Sequence, residues 1–166
     1  MITGFVGKEN NWDLTLGGKS FRHLDWNKIR ELGRAGWEIG SHTVNHYDLT
    51  KLSPGALEYE LTKSKQDLED KLGREVVYLS YPFGRFNQVV QREAERLGYQ
   101  SAFSIYPGKT SSLPDNLAVK RIAIYRIDSP LSLRIKLQGG FMYWLEDLKG
   151  FLINRLSLAT TLLKPS

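Results

Sequence analysis

Two histidines, His42 and His46, stand four residues apart in the segment Ile39-Gly40-Ser41-His42-Thr43-Val44-Asn45-His46. On a helical or helix-like turn, residues i and i+4 lie on one face, so both imidazoles can reach a single ion. A catalytic zinc usually has three protein ligands and an open position for water. The only other histidine is His23, which precedes a helix start, so the third ligand is expected to be a carboxylate. Asp13 and Asp48 are the nearest along the chain, and each equally suits a loop or capping role. Taken alone, the pair is a weak signal that suits a surface or core-edge position better than a metal site.

The elements around the pair shape a site. Downstream, Tyr78-Leu79-Ser80-Tyr81-Pro82-Phe83-Gly84-Arg85-Phe86 is an apolar run that ends in Pro and Gly, which reads as a strand delivering a shaped loop. Between the two segments, Leu57, Leu61, Leu68 and Leu72 recur at helical spacing, with Ser53 suited to the N-cap, Pro54 to the first turn and Gly73 to the stop. Strands are predicted over 2–6, 37–41, 76–81, 101–105 and 117–125. Asp25 should cap a helix carrying Trp26, Ile29 and Leu32, and Val90, Ala94 and Leu97 mark another that closes at Gly98. Strands alternating with helices in this way predict a parallel α/β sheet.

In this order of segments the chain resembles the polysaccharide deacetylase family, also called NodB-homology or carbohydrate esterase family 4 proteins. Gly36-Trp37-Glu38-Ile39-Gly40-Ser41-His42-Thr43 through His46 is similar to the family's second motif, whose histidines bind the metal. Ser80-Tyr81-Pro82-Phe83-Gly84 is similar to the third, which forms one wall of the active-site groove. The helix after Pro54, Leu97-Gly98-Tyr99 and Val119-Lys120-Arg121-Ile122 follow the family's run, so the resemblance spans about 5–124. It implies a (β/α) barrel of the distorted TIM type, a divalent metal, with zinc the expected ion, on His42 and His46, and a groove for an acetylated polysaccharide at Tyr81, Pro82, Phe83, Gly84 and Arg121. The reaction implied is hydrolysis of acetyl groups, N-acetyl in the first instance, with a backbone N–H near the Tyr81 loop stabilising the oxyanion. Ser41, Thr43 and Asn45 flank the ligands as candidates for orienting them; Tyr81, Phe83 and Trp12 are each candidates for a sugar platform or for ordinary packing, and Arg121 for the groove floor or a structural ion pair.

Three departures qualify that reading. The family's Thr-Phe-Asp-Asp-Gly type motif, whose first Asp is the base and whose second is the third metal ligand, has no counterpart here. No catalytic residue is therefore assigned, and metal binding is expected to be weakened. The Arg of the third motif aligns with Ser80, and no histidine follows His46 to act as the late general acid. Two functions stay open: a metal-dependent deacetylase whose acid pair is missing from this chain, and a catalytically inactive carbohydrate-binding or structural remnant of the same fold.

Length points the same way, since 166 residues hold one core, while a (β/α) barrel takes about 200 or more. The expected architecture is an incomplete barrel lacking its first strand over 1–128, with an amphipathic helical tail over 129–166 packed on the same domain. In that tail Ser129-Pro130 opens a helix, Gly139-Gly140 breaks it, and Phe141, Trp144, Leu145, Leu148 and Leu152 follow at helical spacing. Glu146, Asp147, Lys149 and Arg155 interrupt the apolar positions and exclude a spanning helix, leaving a helix packed on the sheet or one resting on a membrane surface or partner. A net charge of +5 is dispersed, with no basic stripe interleaved with aromatics, so nucleic acid is not an expected partner. With no cysteine the redox compartment stays open. No signal-like segment stands at the N-terminus, so the expected location is cytoplasmic, or extracellular or cell envelope if a segment was lost there.

Overall fold

The computed structural model describes residues 1–10, 21–105, 115–125, 127–140 and 142–161. They form two compact units, Met1–Val119 and Lys120–Ser166. The division falls at 119/120, ahead of the predicted boundary at 128/129.

The first unit alternates helices with short parallel strands. Helix α1 (Trp26–Arg34) starts at Asp25, whose side chain accepts the Lys28 N–H. Helix α2 (Pro54–Leu72) has Ser53 as its cap, Pro54 in its first turn, and Gly73 in the left-handed conformation (φ 66°) that ends it. Strand β1 (Tyr78–Ser80) pairs in parallel with β2 (Ser101–Ser104), Leu79 facing Ala102, and β3 (Val119–Lys120) follows in the order β1-β2-β3. Helix α3 (Gln88–Arg96), capped by Asn87, makes the crossover from β1 to β2.

On the other side of β1 the parallel pattern continues without regular strands. Ser41 bridges Leu79, its N–H donating to Tyr78 O at 2.8 Å, and the Ser80 N–H donates back to Ser41 O at 2.9 Å. The His42 N–H donates to Met1 O, and the Thr3 and Gly4 N–H groups to the carbonyls of Thr43 and Val44. The predicted strand over 2–6 is instead a 3-10 turn, Thr3–Phe5, because Phe5 and Val6 fold their N–H groups back onto Ile2 and Thr3. Gly4 permits the approach, since a Cβ there would lie 2.6 Å from Val44 O. Of the strand over 37–41 only the Ser41 bridge forms. That over 117–125 shrinks to two residues, Leu117 being taken into a 3-10 turn, Asp115–Ala118.

Helix α2 buries Leu57, Leu61 and Leu68, and two clusters meet along it. Leu57 and Leu61 pack with Leu79, Tyr81, Val90, Ala94, Tyr99 and Ala102, while Leu68 joins Ile29, Ile39 and Val76. The outer face carries ladders four residues apart, Lys63 to Asp67 at 2.5 Å and Lys65 to Glu69 at 2.8 Å.

The second unit holds α4 (Pro130–Gln138), capped by Ser129, and α5 (Tyr143–Thr161), separated by Gly139 and Gly140, both with positive φ. Its charged centre is buried: Lys136 pairs with Asp128 at 2.5 Å, and Lys149 reaches Asp128 at 2.6 Å and Glu146 at 3.0 Å. Asp128 is thus tied to α4 and α5, which is why the boundary lies before it. No helix among the described residues is long and apolar enough to cross a membrane.

Candidate functional site

The two imidazoles come together. The His42 and His46 rings lie 4.7 Å apart, centroid to centroid and edge to face, and the Phe83 ring stands 4.7 Å from His46. His42 Nδ1 is 2.6 Å from the Ser80 carbonyl oxygen, which only accepts, so Nδ1 carries a proton and donates it there. A ring oriented through one nitrogen by a backbone carbonyl is held as metal-ligating histidines commonly are. The donor set therefore suits a divalent ion such as zinc. Among the described residues no third His, Cys, Asp or Glu joins the pair.

The loop holding these rings is strained. Thr43 (φ 68°), His46 (φ 58°) and Phe83 (φ 56°) are the non-glycine residues with positive φ among those described, and all belong to the two loops that meet here. Each such residue costs about 1–3 kcal/mol, and strain of this kind persists only where surrounding bonds over-determine it. Those bonds are visible. Ser41 Oγ accepts the Thr43 N–H at 3.2 Å and lies 2.7 Å from Ser64 Oγ, while Thr43 Oγ1 accepts the His46 N–H at 3.0 Å. From α2, the buried Glu60 carboxylate accepts the Val44 and Asn45 N–H groups at 2.9 Å each, and Asn45 Nδ2 at 2.6 Å.

Of the residues predicted to line a sugar groove, Phe83 is brought to the histidines. Tyr81 is fully buried, its ring stacked on Phe86 at 4.9 Å and its hydroxyl donating to Leu117 O at 2.9 Å. Burial pushes its phenol well above the usual range. Of the two roles open to the Tyr81 side chain, groove wall or packing, the ring takes up packing: strand alternation turns it into the core, where a large ring is worth more than at a rim. Pro82 and Gly84 are buried and shape the turn. A Cβ on Gly84 would lie 2.9 Å from Ile105 N, and its φ of 66° favours glycine. Arg121 is in the second unit, half-buried, with Nε lacking a hydrogen-bond partner among the described residues and burial lowering its pKa.

Asp48 turns out to be a cap. Its carboxylate accepts the Thr50 N–H at 3.2 Å and hydroxyl at 2.6 Å, and pairs with Arg85 at 2.8 Å, tying the segment after His46 to the one after Gly84. Burial raises its pKa, but the bonds from Thr50 and Arg85 outweigh that, so the net shift is downward. Stability from this latch is therefore present above about pH 4 and lost as pH falls through the lowered value. Because Arg85 is 44% exposed, the expected effect is about 1 kcal/mol or less. The melting-temperature gap between wild type and Asp48→Asn should be largest at neutral pH and close below about pH 4. Asp13 and Trp12 fall outside the described residues, and His23 lies 5.8 Å from the Phe5 ring.

Glu60 and Ser64 were missed by the sequence reading, although a signal existed. Both fall on the stripe of Leu57, Leu61 and Leu68, so a carboxylate and a hydroxyl sit where the helical period calls for apolar residues.

With this geometry in view, comparisons with known proteins agree on one family. The family model described as polysaccharide deacetylase matches residues 1–102. YxkH of Bacillus subtilis (strain 168) is 31% identical over 102 residues, 61% of this chain and 37% of YxkH. The peptidoglycan-N-acetylmuramic acid deacetylase PdaA of the same organism is 33% identical over 76 residues, 45% of this chain and 29% of PdaA. Among solved structures, the Streptococcus pyogenes deacetylase PplD in complex with acetate superposes with a TM-score of 0.65 at 29% identity, covering 81% of this chain and 55% of PplD. The chain thus spans well under half the length of these curated relatives.

Proposed function

The chain belongs to the polysaccharide deacetylase family, and on that premise we propose that it carries the histidine half of a metal-dependent site that removes acetyl groups, N-acetyl in the first instance, from a carbohydrate polymer. The observation that carries the reading is the oriented pair, His42 with its Nδ1–H on Ser80 O and His46 edge-on at 4.7 Å. His42 and His46 would hold the ion, zinc being the expected one. Bound there, it supplies a Lewis acid for the acetyl carbonyl and a water of lowered pKa.

The chain's own groups take the remaining roles. In the loop after β1, the Tyr81, Gly84 and Arg85 N–H groups are committed to the carbonyls of Phe103, Tyr81 and Pro82, and Pro82 has none. That leaves the Phe83 N–H, beside His46, as the donor suited to an oxyanion. The half-buried Phe83 ring is the candidate platform for a pyranose. The parallel pairing of Ser41 with Leu79 and of β1 with β2 supports reading the sheet as part of an incomplete (β/α) barrel.

No Asp-Asp pair occurs in the sequence, and no carboxylate joins the histidines among the described residues. That favours a second reading, a non-catalytic carbohydrate-binding remnant of the fold. Acetate release from acetylated chito-oligosaccharides, and from peptidoglycan since PdaA is named for it, separates the two. Zinc-dependent release by the purified chain supports a deacetylase. Glycan binding without release supports the remnant, and neither would remove both.

A further inference from the structure

We infer that Glu60 is a positioning residue: from helix α2 its carboxylate holds the middle of the histidine loop so that His42 and His46 are set for one ion before the ion arrives. The inference rests on the metal reading above and adds to it a residue outside both histidine and Tyr-Pro-Phe-Gly segments.

Glu60 is 2% exposed, a carboxylate taken almost wholly out of water. Such a group is costly to bury unless its lone pairs are satisfied. Among the described residues no lysine or arginine pairs with it. Its partners are instead three N–H donors of the loop: the Val44 and Asn45 backbone at 2.9 Å each on Oε2, and the Asn45 side chain at 2.6 Å on Oε1. Two of these are consecutive backbone amides aimed at one oxygen, a concave donor pair suited to an anion.

The place of those amides matters more than their number. Val44 and Asn45 lie between Thr43 and His46, both left-handed. The ends of the turn are fastened locally, Thr43 N–H to Ser41 Oγ and His46 N–H to Thr43 Oγ1. Its middle is fastened by Glu60 from sixteen and fifteen residues away. A side chain as short as alanine cannot reach the loop. Glutamine keeps the shape but turns an N–H₂ toward donors, so one set of bonds must be given up.

The test compares Glu60→Gln with wild type by zinc titration calorimetry, well below both melting temperatures, and by amide hydrogen exchange without metal. A positioning role predicts a 10- to 100-fold loss of zinc affinity, the effect of losing an outer support of a metal ligand. It also predicts at least about tenfold faster exchange at Val44, Asn45 and His46, with α1 and α3 amides unchanged. Equal zinc affinity in the two proteins, or unchanged loop exchange, overturns it. A purely structural Glu60 would lower the melting temperature and leave the native protein's zinc affinity alone, which also overturns it. If wild type binds no zinc, the metal reading fails, and loop exchange alone then decides whether Glu60 anchors the turn. Should Glu60→Gln not fold, Asn45→Ala, which removes only the donor to Oε1, is measured instead. Several-fold weaker binding supports the role and no change contradicts it.

Discussion

Replacing His42 and His46 together by alanine is expected to abolish zinc binding in calorimetry while leaving the fold of the first unit in place. The loss should exceed about 100-fold, the upper range for losing an outer support of a ligand, because here the ligands themselves go. The fold should survive because neither ring belongs to the two buried clusters along α2, and the loop keeps its bonds through Ser41, Thr43, Asn45 and Glu60 when the His42 bond to Ser80 O is lost. Removing the left-handed His46 side chain also removes its ring contact with Phe83. His42→Ala alone should nearly match the double variant, since a single imidazole without chelation holds zinc weakly. Zinc affinity unchanged in the double variant would place the ion elsewhere.

The second large effect concerns the other unit. Asp128→Ala is expected to destabilise α4 and α5 by about 3–5 kcal/mol, the range for breaking one partner out of a buried ion pair. The Asp128 and Lys136 side chains are 2% and 3% exposed, their charged atoms 2.5 Å apart. Burial pushes the Asp128 carboxyl up, yet bonds from Lys136, Lys149 and the Tyr125 N–H more than offset this and hold it far below the usual range. Without Asp128, Lys136 keeps the Ala123 carbonyl, the Tyr125 ring at 4.7 Å and Glu146 at 3.6 Å, an incomplete set for a buried ammonium. Adding Lys136→Met should recover much of the loss, because the uncompensated charge goes with it. Hydrogen exchange of α4 and α5 amides reads both steps. The same pair gives acid sensitivity, stability being full above about pH 4 and falling as pH drops through the lowered Asp128 value.

What could be read from residue types was whatever local chemistry decides. Ser53, Pro54 and Gly73 delimit α2 because capping and φ preferences act within a turn, and Asp25 and Ser129 start their helices for the same reason. Strands fared worse, because their extent depends on partners distant in sequence. The segment over 2–6 curls into a 3-10 turn once Thr3 and Gly4 find carbonyls at Thr43 and Val44. His42 and His46 were legible through their spacing, and Phe83 through the Pro-Phe-Gly turn. For Tyr81 the choice stayed open, because a tyrosine beside a groove motif suits a sugar as well as a core, and the pairing with β2 shows which way its ring points. Glu60 stood in plain sight on an apolar stripe, but the loop it serves is adjacent only after folding.

The central claim is that His42 and His46 together ligate a divalent ion, and zinc K-edge X-ray absorption on the zinc-loaded chain tests it most directly. The account predicts two imidazole nitrogens at about 2.0–2.1 Å, with the multiple-scattering signature of histidine rings, and its disappearance in the double alanine variant. A shell of oxygens alone, or an imidazole signature that persists in that variant, would contradict it.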